Sequence, residues 1–138
     1  MSRYLAIDHG SKRIGLALSD PMKIIAKPYK TITYNNIVDL FNLLIDIIKE
    51  EDVECIVLGI PLGMKGQETT QTKNVLEFKE KLKLNIKIPI ILQDERLSSL
   101  SAEKSLIQQN VKTGHNKSQI DKTAAAIFLQ QFLDTKRS

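Results

Sequence analysis

Leu5-Ala6-Ile7-Asp8-His9-Gly10-Ser11-Lys12-Arg13-Ile14-Gly15-Leu16-Ala17-Leu18-Ser19-Asp20 sets two apolar runs, Tyr4 to Ile7 and Ile14 to Leu18, around a short polar segment holding glycine and charge. That is the pattern of a β-hairpin, and it puts Asp8 at the end of the first strand. A carboxylate there suits a metal ion and the phosphate such an ion would hold, with Gly10 letting a backbone approach a ligand and Lys12 and Arg13 in the turn. An aspartate in an ordinary turn has the same local signature. The weight therefore rests on what the rest of the chain brings to the same edge.

Beyond the hairpin, Ile24 to Tyr34 reads as a third extended segment, and Pro28 suits it to a sheet edge. From Asn36 the apolar period changes: Ile37, Leu40, Phe41, Leu44, Ile47 and Ile48 recur at three- and four-residue spacing, which predicts an amphipathic helix ending near Glu51. Cys55 to Ile60 is a continuous apolar run, as in a strand covered on both faces, and Pro61 stops it. The loop Pro61 to Gly66 leads to a second helix from about Thr69 to Leu84, with Val75, Phe78 and Leu82 at helical spacing. Pro89 to Leu92 reads as a second buried strand. Ser98 or Ser99 can cap a third helix, which Asn110 or Gly114 can end. Ser118-Gln119-Ile120-Asp121 matches a capping box, and its helix runs through Ala124-Ala125-Ala126 to about Leu133. The order βββαβαβα predicts an α/β protein with a five-stranded mixed sheet, right-handed crossovers and helices on both faces.

Length and composition agree with one domain over residues 1–138: 138 residues, 42% hydrophobic, 26% charged, with six glycines and four prolines. No apolar run approaches the roughly 20 residues of a membrane span, and no signal-peptide core precedes the first strand, so a cytoplasmic protein without membrane association is expected. The lone Cys55 reads as a small buried hydrophobe. The net charge is +4, with lysines and arginines gathered toward both ends of the chain. A basic face forms where those ends meet, which favours a phosphate-rich partner such as nucleic acid.

The sheet order gives the acids a common edge. In an open sheet of this kind a site forms off the carboxyl ends of the parallel strands. Asp8 ends the first of them. Strand four ends in Gly59-Ile60-Pro61-Leu62, without an acid, and strand five in Gln93-Asp94-Glu95-Arg96. With strands about 4.8 Å apart, side chains from strands one and five converge across strand four, and Glu95 has the longer reach. Asp121 joins them if the alanine run lets the last helix lie close to the sheet. Each acid also has a plainer explanation: Asp121 as a helix-start carboxylate, Asp94 and Glu95 as a solvated turn. Gathered, such carboxylates repel unless they hold divalent cations, and Mg²⁺ or Mn²⁺ fits oxygen ligands. His115 is expected to be exposed and dispensable.

Four segments in order, Asp8 to Ala17, Gly59 to Gly66, Asp94 to Ser98 and Ile120 to Ala126, resemble the motifs of the YqgF/RuvX family, bacterial RNase H-like proteins described as pre-16S rRNA nucleases and Holliday junction resolvase homologues. The resemblance spans essentially the whole chain. It implies an RNase H-like fold, metal-dependent phosphodiester hydrolysis and a role in maturing the 5′ end of 16S rRNA, with Asp8, Glu95 and Asp121 as catalytic acids and metal ligands. His9 stands where the family often has an aromatic residue, and Gly63 where it often has Asn. The wider RNase H-like pattern places an acid at the end of strand four, and here Glu95 takes that part from strand five.

The reading that follows is a hydrolase of nucleic acid. Two ions, Mg²⁺ or Mn²⁺, are held by Asp8, Glu95 and Asp121, and Lys12, Arg13 and Arg96 bind backbone phosphates. Its partner is structured RNA such as pre-16S rRNA, or branched DNA, and it is a monomer or a homodimer; cleaving the two strands of a junction symmetrically would call for the dimer. Two rivals stand beside it: a binding module without catalysis, and an ATP-handling phosphotransferase of the actin and sugar-kinase type, which needs two such domains.

Overall fold

The alternation that predicts the hairpin becomes its register. In the computed structural model, which describes residues 2–10, 12–95 and 117–137, β1 (Arg3–His9) runs antiparallel to β2 (Arg13–Ser19), with Leu5 facing Leu18 and Asp8 facing Gly15. Tyr34 clamps the turn: its hydroxyl donates to the Gly10 carbonyl at 2.8 Å and its amide to the Lys12 carbonyl at 3.0 Å. The third extended segment is β3 (Ala26–Thr33), at the edge beside β2. Its register slips opposite Leu16 and Ala17, next to Pro28, so the proline sits where the ladder is already irregular.

Helix α1 (Ile37–Glu50) starts at Asn36, whose side chain accepts the Val38 amide hydrogen. It leads into β4 (Val53–Ile60), parallel to β1. Helix α2 (Thr70–Asn85) opens on a reciprocal cap between Thr69 and Thr72, and β5 (Ile90–Asp94) follows, parallel to β4. The sheet order is β3-β2-β1-β4-β5, with β1 at its centre and β4 between β1 and β5, as the sequence predicts. Helix α3 (Lys117–Arg137) begins one residue ahead of Ser118, which therefore lies within it, and continues past Leu133. The third predicted helix, Arg96 and His115 lie outside the described residues.

Period-two alternation divides the core. Leu5, Ile7, Ile14, Leu16, Ile56 and Leu58 face Leu40, Leu44, Val75, Phe78 and Leu82 of α1 and α2. Tyr4, Ala6, Ala17, Cys55 and Val57 face Ala125, Ala126, Phe128, Leu129 and Leu133 of α3. Both faces are thus covered, which is why β1 and β4 read as unbroken apolar runs, and Cys55 is buried as expected. Among the described residues no helix is long and apolar enough to cross a membrane.

The alanine run is what lets α3 lie close to the sheet: Ala124 and Ala125 are buried with nothing larger to hold the helix off. Ala125→Leu is expected to cost about 1–3 kcal/mol by overpacking, read as a lowered midpoint in thermal unfolding, whereas Ala at an exposed α3 position such as Gln131 should cost almost nothing.

Candidate active site

Asp8 lies on the α3 face of the sheet, by alternation with Tyr4 and Ala6. Its neighbours on both sides are glycines. Gly15 is its direct partner on β2, and the pairing of Ile7 with Leu58 sets Gly59 of β4 beside it on the other flank. Each glycine leaves room for a functional group. A Cβ at Gly15 would overlap the Asp121 carbonyl and come 2.8 Å from the Lys122 amide nitrogen, so its absence is what allows the first turns of α3 to settle on β2. A Cβ at Gly59 would overlap Glu95 Oε2 and come 2.7 Å from the Phe128 ring. Strand four thus contributes the space through which Glu95 reaches Asp8, where the wider pattern has an acid.

Glu95 follows β5 directly, its amide donating to the Ile60 carbonyl at 3.2 Å. Along β5, Leu92 packs with the α1/α2 core and Ile91 with the α3 core, so alternation sets Asp94 on the far face and Glu95 on that of Asp8. The two carboxyls are hydrogen-bonded to each other. Burial, then the charge of Glu95 and that hydrogen bond, then Asp121, push the Asp8 carboxyl up to about 9. Burial also raises Glu95, and the nearby Asp94 charge adds to it, while the bond from Asp8 works the other way. Both carboxyls are thus held above their ordinary range, and the pair shares a proton.

Asp121 stands close enough for its charge to act on Asp8, but its carboxylate is bonded to the Arg13 guanidinium through Nε. Accordingly, among the described residues no three His, Cys, Asp or Glu side chains are gathered closely enough to hold a metal ion. Of the residues assigned to phosphate, Lys12 is exposed in the turn and Arg13 is engaged by Asp121. Gly10 does not open the backbone to a ligand: a Cβ there would lie 2.6 Å from the Arg13 carbonyl, so its space is taken up in closing the turn. His9 faces away from Asp8, its ring stacked on Phe78 at 4.4 Å, and burial lowers its pKa.

The basic ends of the chain do meet, but at the opposite end of the sheet. Lys136 lies over the Tyr4 ring at 4.9 Å, and Lys23 beside it is paired with Glu54. Part of the expected basic face is thus neutralised locally, away from the acids.

A five-stranded mixed sheet in the order β3-β2-β1-β4-β5, covered by helices on both faces, is an RNase H-like α/β fold. RuvC of Thermus thermophilus, solved with a Holliday junction substrate, shares the fold at TM-score 0.61 and 11% identity, over 100% of this chain and 97% of that one. The family model "RuvX: Holliday junction resolvase" matches residues 2–135. Curated relatives bear the name "Putative pre-16S rRNA nuclease": that of Desulforamulus reducens is 45% identical over 133 residues, 96% of this chain and 97% of its own length. That of Maridesulfovibrio salexigens is 40% identical over 131 residues, 95% of this chain and 97% of its own. The chain belongs to the RuvX family, whose curated members are named as nucleases.

The Asp8 proton has a consequence for stability. A folded-state value near 9 against 3.8 for the free side chain means that the folded protein keeps a proton the unfolded chain loses. This contribution is full below about pH 4 and is lost as pH rises toward 9, at most about 1.4 kcal/mol per pH unit. Melting in excess chelator should fall by several degrees between pH 5 and pH 8.5, and Asp8→Asn should flatten that slope; a wild-type slope that survives the substitution would assign it to another group.

Proposed function

We propose that the protein is a metal-dependent endonuclease, folded as one domain, that hydrolyses phosphodiester bonds in structured RNA and serves in 5′-end maturation of pre-16S rRNA in the cytoplasm. The observation that carries this reading is the half-buried, proton-sharing pair Asp8 and Glu95, with Asp121 beside it. The donor set fits a hard divalent cation: all three side chains offer carboxylate oxygens, and the shared proton marks a place where positive charge is required. Two Mg²⁺ or Mn²⁺ ions bound by Asp8, Glu95 and Asp121 would supply the Lewis acidity on both sides of the scissile phosphate.

The chain's own residues do the rest. Asp8, on the central strand, fixes the position of the reacting phosphate relative to the sheet. Glu95 reaches it over Gly59, with the Phe128 ring beside the same space. Lys12 and Arg13 from the hairpin turn, and Arg96 next to Glu95, bind backbone phosphates on either side of the cleaved bond. Such contacts make affinity fall with salt, with a log–log slope of about −2 for three phosphates on a single strand.

A second reading is cleavage of branched DNA, which the family's description supports. It requires two copies of the site related by a two-fold axis, whereas RNA cleavage is complete in one chain. Labelled pre-16S 5′-leader RNA and a four-way DNA junction, each incubated with Mg²⁺, Mn²⁺ or chelator, distinguish the two by product. Binding without cleavage of either would leave a nucleic-acid-binding module. Asp8→Asn should lower cleavage by orders of magnitude while binding and melting temperature are kept, because a neutral amide keeps the size and hydrogen bonding of the protonated carboxyl and the lysines and arginines remain. Retained cleavage would remove Asp8 from the chemistry.

A further inference from the structure

Of the three acids, Asp8 and Glu95 face each other, while Asp121 is bonded to the Arg13 guanidinium. We propose that Arg13 is the counter-ion that keeps Asp121 off the Asp8–Glu95 pair until a divalent cation binds, and that the released guanidinium then serves the substrate phosphate. The proposal rests on the nuclease reading above and assigns Arg13 a positioning part within it.

Charge supports the exchange. The guanidinium offsets one of the three acids, and a divalent ion held by those acids takes over that part and leaves Arg13 without its partner. The freed positive charge is then available to a phosphodiester, so cation and substrate each favour the other's binding.

Geometry supports it as well. The Asp121 backbone is seated over Gly15, two residues from Arg13 on the same face of β2, so neither main chain has to move. The exchange needs only side-chain rotation, and both groups have room for it: the Arg13 side chain is 37% exposed and that of Asp121 25%. Arginine can make the move without losing its charge, because it does not deprotonate at any working pH.

The test follows Arg13 directly in the full-length protein by NMR. In chelator the Arg13 Nε–H signal, identified by its loss in Arg13→Lys, should be protected from solvent exchange, and Asp121→Asn should abolish that protection. Saturation with Mg²⁺ should abolish it in the wild type. Arg13→Gln should bind Mg²⁺ about tenfold more tightly, within the usual range of coupling between linked groups. If Mg²⁺ binds in an Asp8-dependent way while Arg13 stays protected, the exchange is wrong and the metal site stands. Unchanged or weaker Mg²⁺ binding in Arg13→Gln would overturn it too. If no Asp8-dependent Mg²⁺ binding occurs, the exchange and the metal-dependent reading fall together.

Discussion

Two carboxyl groups set against each other cannot both be ionised without a compensating positive charge, and the centre of this protein is built around such a half-buried pair. Asp8 is held on the middle strand, opposite Gly15 of β2 and one residue past the last pair with β4. Glu95 is brought over it from beyond a neighbouring strand. Burial and the facing acid push both carboxyls above their ordinary range, Asp8 up to about 9, so the pair shares a proton. Much of the surrounding architecture serves to hold the pair together: the glycines at 15 and 59, the alanines that lower α3 onto the sheet, and the Phe128 ring beside Glu95. A fold selected for stability alone would place apolar side chains here.

The strand order was legible because it follows from pattern. β1 and β4 are unbroken apolar runs, β3 carries its proline at an edge, and α1 repeats with a helical period. Glu95 was legible too, by reach, although alternation along β5 is the stronger reason, since it sets Asp94 on the other face. What sequence reasoning missed lies in contacts across the chain. Gly15 and Gly59 were seen as parts of motifs, but the use of a missing Cβ depends on which atoms approach it, here from α3 and from Glu95. Their signal was present nevertheless: a glycine inside a strand commonly marks a close approach.

The pairing of Arg13 with Asp121 was harder to read. The two are 108 residues apart, and both had been assigned outward tasks, one to a phosphate and the other to a cation. In the folded chain they first answer one another. Charged residues gathered for a ligand of either sign tend to do this when no ligand is bound, because a partly buried charge needs a partner at once. Gly10 shows the same limit from the other side: its place in a motif suggested a ligand, whereas the turn itself uses its space.

Asp8 and Glu95 differ in how firmly the sheet holds them. Among the described residues β1 has a strand on each side, whereas β5 ends the sheet, and the Glu95 amide bonds to the Ile60 carbonyl just past the last strand pair. Backbone amides at a sheet margin exchange with solvent through small local openings, far below the free energy of global unfolding. Fraying of β5 would therefore part the two carboxyls while the core stays intact.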